Sequence, residues 1–348
     1  MKAMDDVLSR ADLILRKDVE EFENNMADFV GTKYAVGLNS GTDTMFLSLK
    51  ALGIGSGDEV ITVSHTFVAS LAVIFQVGAK PVLVDVKEDF TMDMDKVEEL
   101  ITEKTKAVLP VHLNGRVCEM DRLMEIARKY NLIIIEDAAQ ALGAKYNNKM
   151  AGSFGLVGSF SLYPFKTLGC FGDGGVLTTN DGDLAEKIRL LRDHGQKTKT
   201  EIVCFGWNSR LDNLQAAVLN IKFKYLPGWI KRRREIASLY NKGLADVSEM
   251  QTPPGQDSDD KHFDTFQNYV LKAERRNELA EFLEEKGIET LIKDPLANHK
   301  QPGLGLSHLS LPYSEKLADE VISLPIYPEL TREQTEYVIN SVKEFYTQ

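Results

Sequence analysis

Three short stretches of this chain bring together residue types that do chemistry as a set. In Ser159-Phe160-Ser161-Leu162-Tyr163-Pro164-Phe165-Lys166-Thr167-Leu168-Gly169, a lysine stands among small, aromatic and glycine residues. The turn residues Gly172-Asp173-Gly174-Gly175 follow closely. A lysine in apolar surroundings has its pKa pushed down, which frees the amine as a nucleophile. Alone, Lys166 reads first as a solvated loop lysine. The run Ile133-Ile134-Ile135-Glu136-Asp137-Ala138-Ala139-Gln140 ends a buried strand in carboxylates. In open α/β sheets ligands sit at the carboxyl ends of the strands, where Asp137 could hold a cationic ligand atom. The plainer reading is a cap on the next turn. Asn39-Ser40-Gly41-Thr42-Asp43 lies between a strand-like run, KYAVGL, and a helical one, TMFLSLKALG. Gly41 permits close backbone approach, Thr42 offers a hydroxyl, and the amides that follow point out of a helix N-terminus. That suits a phosphate, although in isolation an ordinary N-cap explains the residues better.

Taken together the three segments change meaning. A phosphate site, a strand-end aspartate and a lysine after a later strand are what pyridoxal 5'-phosphate (PLP) needs. The lysine forms the Schiff base. The aspartate keeps the pyridine nitrogen protonated, so that the ring accepts electrons from a Cα–H bond.

On these residues the chain resembles the nucleotide-sugar aminotransferases, the DegT-like family of fold-type I PLP enzymes. The shared stretches run nearly end to end. They include VEEFENNMADFVGTKYAVGLNSGTDTMFLSL, GDEVITVSHTFVAS, AKPVLVDV, EDAAQALGA, FSLYPFKTLGCFGDGGVLTTND, GWNSRLDNLQAAV, HKQPGL and EKLADEVISLPIYPELT. The resemblance implies that Lys166 is the Schiff-base lysine and Asp137 the partner of the pyridine nitrogen. It implies that Gln140 lies near the ring hydroxyl and that Phe67 stacks on the ring. Gly41, Thr42 and the backbone of Asp43 match the phosphate cup, and Ser161 matches a hydroxyl reaching the phosphate. Asn208, in Trp207-Asn208-Ser209-Arg210, matches an asparagine lent to the phosphate by the neighbouring subunit. The resemblance thus implies a homodimer with shared active sites. It also puts Tyr163, His299 and Gln301 near the substrate. Two stretches depart from the family pattern. Pro164-Phe165 stand where the family often has His-Asn or Pro-Thr, and ANHKQPGLGLSHLSLPYS is shorter and more polar than the usual PLHLQPAY stretch.

The activity implied is transfer of an amino group from L-glutamate to a keto sugar, usually nucleotide-linked in that family, with pyridoxamine 5'-phosphate formed during turnover. The pathway context implied is amino-sugar or surface-polysaccharide biosynthesis. A keto acid sugar, such as an oxidised octulosonate, is an alternative acceptor. A PLP-dependent sugar dehydratase is a second alternative, but those relatives typically carry histidine in place of the lysine. A non-catalytic regulatory protein on the same fold is a third, against which Lys166, Asp137 and Gln140 stand together.

The elements that must position these residues are legible in outline. The chain has 348 residues, 43% hydrophobic and 27% charged, which is globular composition with length for about two domains. Short apolar runs alternate with helical ones from EVITV onward, the pattern of an α/β fold with a mostly parallel sheet covered by helices. After about Pro227 a long charged helix and a Pro/Asp-rich loop lead into a smaller α+β region. The expected division is an N-terminal helical segment over 1–29 packing with the small domain, a large PLP-binding domain over 30–225, and a small domain over 226–348. Gly53-Ile54-Gly55-Ser56-Gly57-Asp58 precedes a strand, so it reads as a loop and not as a dinucleotide fingerprint.

Charge and cysteine content narrow the classes further. With 41 basic against 52 acidic residues the formal net charge is −11, which argues against nucleic acid as partner. The run Lys231-Arg232-Arg233-Arg234 reads as a solvated helix face. Cys118, Cys170 and Cys204 form neither a disulfide framework nor a zinc ribbon, and the six histidines are scattered, so no metal is expected. The N-terminus has no secretory signal pattern and no 18-residue apolar stretch occurs, so a cytoplasmic protein with no membrane partner is expected.

Overall fold

The structure, a computed structural model, describes residues 2–256 and 258–347. Seven short apolar runs form one sheet: β1 (Tyr34–Leu38), β2 (Glu59–Val63), β3 (Lys80–Val84), β4 (Thr105–Val108), β5 (Ile133–Asp137), β6 (Val157–Ser161) and β7 (Gly175–Thr179). Their order across the sheet is β1-β7-β6-β5-β4-β2-β3. The pairs from β6 through β5, β4 and β2 to β3 are parallel, while β6–β7 and β7–β1 are antiparallel. Every residue of β2 and β7 is buried, as expected of strands covered on both faces.

Register decides what leaves the sheet together. Asp137, the last residue of β5, lies beside Ser159 of the parallel strand β6, and Ser161 at the end of β6 lies opposite Gly175 of β7. The carboxylate and the segment leading to Lys166 therefore emerge at the same edge. Helix α3 (Gly41–Ala51) starts at that edge too. A Cβ on Gly41 would stand 2.9 Å from Ser161 Cβ, and one on Gly175 would stand 2.3 Å from the carbonyl carbon of Ser40. The two glycines let the first turn of α3 rest directly on the β6–β7 pair.

The chain begins with two helices, α1 (Lys2–Arg10) and α2 (Lys17–Val30). Val19, Phe22, Met26 and Val30 of α2 join the core of the seven-stranded sheet, and the Asn213 side chain, on the later helix Asn213–Phe223, accepts a hydrogen bond from the Val19 amide at 3.1 Å. Within the chain, α2 thus serves the large core, whereas packing with the small domain is the expectation for residues 1–29. The apolar face of α2 is wide enough to serve the large core, and it does.

A second apolar core lies beyond. It gathers Ile236, Ala237, Tyr240, Phe266, Tyr269, Leu271 and Ile322 with the apolar faces of the helices Arg276–Glu285 and Arg332–Thr347. Its sheet pairs Met250–Gln251, Tyr269–Ala273 and Val321–Leu324, all antiparallel. No loop separates the two cores near residue 226. The helix Leu226–Gly243 spans both, with Leu226 and Ile230 in the first and Ile236 to Tyr240 in the second. Its basic run is not wholly solvated: Arg233 is buried, and its guanidinium donates to the carbonyls of Phe266, Gln267 and Ile326 at 3.3, 3.2 and 2.8 Å.

Candidate active site

Asp137 is almost fully buried, and its carboxylate is held from two sides. Oδ1 accepts from the Ala139 amide at 3.1 Å, and Oδ2 accepts from the Ser70 hydroxyl at 2.7 Å. Since Ser70 spends its one proton on Asp137, the Thr66 hydroxyl donates to Ser70 at 2.9 Å. These two residues flank Phe67, whose ring is 65% exposed at the entry to the helix Ala69–Gln76. Beneath Asp137, the wholly buried Glu136 accepts from the amides of Gly152, Phe154 and Gly155 and bonds the His112 ring at 3.0 Å. The strand end that carries Asp137 is thus anchored on both faces.

Lys166 lies in a tight turn. Its amide donates to the Tyr163 carbonyl at 2.8 Å, and a Cβ on Gly169 would strike the Pro164 carbonyl oxygen at 2.3 Å. Burial, with Lys293 nearby, pushes the Lys166 ammonium down to about 8, against the pull of Asp137. Tyr163 and Phe165 flank it as half-exposed and exposed rings in edge-to-face contact, with centroids 5.7 Å apart.

At the N-terminus of α3 the Ser40 hydroxyl accepts from the Asp43 amide at 3.0 Å. That amide, expected in the phosphate cup, is already engaged. Among the described residues the Gly41 and Thr42 amides have no such partner, and they remain as donors at the positive end of the helix. Ser161 is half-buried against Gly41. The Asp43 carboxylate accepts from the Ser209 hydroxyl at 2.6 Å, which ties the Trp207–Arg210 segment to this helix. Asn208 itself is exposed and forms no side-chain hydrogen bond among the described residues.

Gln140, three residues past Asp137, accepts at Oε1 from the Asn114 amide and from Asn268 Nδ2, both at 2.9 Å. A backbone amide can only donate, so the orientation of the Gln140 amide is settled and Nε2 is its remaining donor. The structure therefore brings Asp137, Gln140, Ser161, Lys166 and the start of α3 to one edge of the sheet. His299 does not offer a group there. It is fully buried, with Nδ1 on the Ser64 hydroxyl at 2.7 Å and Nε2 on Glu315 at 3.1 Å. Together with Asn298, which donates to the Ser64 carbonyl at 3.0 Å, it docks residues 298–301 onto the loop before Phe67. Gln301 is half-buried, and its amide nitrogen reaches the Leu296 carbonyl at 3.4 Å.

Several neighbours of the site escaped sequence reasoning. Ser70 and Thr66 lie in a stretch singled out only for Phe67. Gln267 and Asn268 stand just ahead of the apolar strand Tyr269–Ala273, where nothing in the local sequence marks them. Lys293 is held partly buried beside Lys166, and burial lowers its pKa. Among the described residues no group of three or more His, Cys, Asp or Glu side chains is arranged to hold a metal ion, and no helix is long and apolar enough to cross a membrane.

A mostly parallel sheet with a lysine turn, a strand-end carboxylate and a helix N-terminus on one edge defines a fold-type I transferase. The model of the DegT/DnrJ/EryC1/StrS aminotransferase family matches residues 1–343, and the chain belongs to that family. It is 42% identical over 351 residues to the pleiotropic regulatory protein of Geobacillus stearothermophilus, across 99% of this chain and 94% of that one. It is 43% identical over 343 residues to the dTDP-3-amino-3,4,6-trideoxy-alpha-D-glucose transaminase of Streptomyces venezuelae, across 97% of this chain and 90% of the relative. The crystal structure of NtdA from Bacillus subtilis with bound cofactor PMP matches with a TM-score of 0.93 at 30% identity, over 100% of this chain and 81% of that one.

Proposed function

We propose that this protein is a PLP-dependent aminotransferase that moves an amino group from L-glutamate to a nucleotide-linked keto sugar, and that it works as a homodimer. The observation that carries this reading is that Lys166 and Asp137 lie within electrostatic reach of each other. A lysine whose amine is partly freed by burial feels the charge of a buried, doubly held carboxylate at the strand end, on the same edge as helix-start amides that are unpaired among the described residues.

The residues fit the cofactor. The Gly41 and Thr42 amides and the Ser161 hydroxyl would hold its phosphate. Asp137 would hold a proton on the pyridine nitrogen, Gln140 Nε2 would donate to the ring hydroxyl, and Phe67 would cover the ring. When bound, PLP supplies an electron sink that makes the Cα–H bond of the donor acidic. The chain's own work is then proton handling and orientation. Lys166 Nζ takes and returns the proton, a task suited to an amine whose pKa lies near neutral pH. Ser70 and the Ala139 amide keep the Asp137 carboxylate in one orientation. Asn208, exposed and with no side-chain hydrogen bond among the described residues, would reach the phosphate of a second copy.

Relatives of equal likeness carry a regulatory name and a transaminase name. The retained lysine, aspartate and glutamine favour catalysis over a purely regulatory role, and Lys166 itself disfavours a dehydratase. The test is direct. Protein loaded with PLP is expected to be yellow, to bleach with L-glutamate, and to regain colour with a keto-sugar nucleotide. Borohydride reduction and peptide mapping should place the pyridoxyl group on Lys166. A colourless protein, or a label on another lysine, overturns the reading.

A further inference from the structure

Residues 264–269 cross from the large core to the small one, and the crossing is held in an unusual backbone. Phe266 adopts φ 50°, a left-handed conformation that a bulky residue enters only under constraint. The constraint is visible. Gly115, at φ +96°, lets the crossing pass so close that a Cβ there would stand 2.7 Å from the Phe266 nitrogen. The Thr265 amide donates to the Gly115 carbonyl at 3.0 Å, and buried Arg233 holds the carbonyls of Phe266 and Gln267 from the other side.

This posture aims two consecutive side chains at the active site. Gln267, nearly buried, accepts at Oε1 from both the Thr167 amide and the Thr167 hydroxyl, each at 2.7 Å. Its Nε2 donates to the Phe165 carbonyl at 2.9 Å. An obligate donor and an obligate acceptor therefore settle its orientation, and the residue between them is Lys166. Asn268, next in the chain, donates to Gln140 Oε1 at 2.9 Å and to Asn114 Oδ1 at 3.3 Å.

We propose that Gln267 and Asn268 are positioning residues of the active site: Gln267 sets the reach of Lys166 by clasping the turn on both sides of it, and Asn268 turns the Gln140 amide so that its nitrogen donates into the cleft. Both act from the segment joining the two cores, so the lysine and the ring-facing glutamine are set by one strained piece of backbone. This inference rests on Lys166 being the cofactor lysine.

The test compares wild type, Gln267→Leu and Gln267→Glu, each as the full chain freed of cofactor and then given PLP. Three quantities are read: the rate of covalent capture of PLP at Lys166, the kcat and KM of the reaction with L-glutamate, and the unfolding midpoint. Gln267→Leu should slow capture and lower kcat about tenfold or more while leaving KM within about twofold, because a misplaced reacting group costs rate more than binding. Gln267→Glu keeps the acceptor for Thr167 and loses the donor to Phe165, so its rates should fall between the two. If Gln267→Leu fails to fold, Thr167→Val removes one of the same bonds and should slow capture in the same direction. Capture and kcat at wild-type values in the folded variant overturn the proposal, whatever the change in midpoint. Wild type that fails to take PLP at Lys166 overturns the functional reading instead.

Discussion

Lys166 shows how far one residue's surroundings set its chemistry. Burial and Lys293 lower its pKa from the ordinary 10.5 to about 8, and Asp137 opposes them. The sign of the consequence for stability follows from proton linkage. Below about 8 both folded and unfolded chains carry the ammonium, and the folded chain bears the full cost of holding it. Between about 8 and 10.5 the unfolded chain binds more protons, so stability rises with pH. Above 10.5 both forms are neutral and the cost is gone. Lys166→Met, measured without cofactor, should therefore be more stable than wild type at pH 7. Its advantage should shrink by pH 10. Urea midpoints at the two pH values check this, and an advantage independent of pH would show that Lys166 carries no such shift.

At the scale of elements, the site is made by the way α3 meets β6 and β7. A Cβ on Gly41 would meet Ser161 Cβ at 2.9 Å and Ser161 Cα at 3.1 Å, and Ser161 cannot retreat because β6 is paired to β7 at Gly175. Gly41→Ala should lift the first turn of α3 away from the phosphate position. Overpacking of this kind costs about 1–3 kcal/mol, and PLP affinity, read by equilibrium dialysis, should fall in parallel with little loss of secondary structure. Retained affinity would mean that the helix start does not hold the phosphate. The part of this geometry that is local was legible in the sequence. Gly41 stands between a strand-like and a helical run, Asp137 ends an unbroken apolar strand, and Lys166 follows SFSLY. The rest is not local. Gly175 is needed because Ser40 lies on it, Gln267 because it clasps Lys166, and His299 is spent on Ser64 and Glu315. Each of those pairings joins distant parts of the chain and leaves no spacing to read. The segment Thr265-Phe266-Gln267-Asn268 is the clearest case: it runs directly into the apolar strand Tyr269–Ala273, yet Phe266 is held left-handed and strand pairing begins only at Tyr269.

The surface of the whole molecule bears on its assembly. Phe165 is 79% exposed, Phe171 68%, Ile202 67% and Phe205 98%, and these residues lie beside the lysine turn or on the segment leading to Asn208. Burying large apolar side chains gains about 1.5–3 kcal/mol each, so a chain that leaves these in water has reason to pair with a second copy. The expected particle has twice the 38.9 kDa mass of one chain, and Phe205→Asp should lower the dimer fraction in sedimentation at micromolar concentration while far-ultraviolet circular dichroism stays unchanged. Whether Asn208 acts across that interface is a separate matter, decided by mixing. Lys166→Ala and Asn208→Ala chains, each inactive or nearly so, are combined and allowed to exchange subunits. Random pairing makes about half of the dimers mixed. If Asn208 serves the partner's site, one site of each mixed dimer holds an intact lysine from one chain and an intact asparagine from the other. Activity then returns to about a quarter of the wild-type level. If Asn208 serves its own chain's site, every site in the mixture lacks one of the two residues, and no activity returns. A fully active monomer would remove both the interface and the shared site.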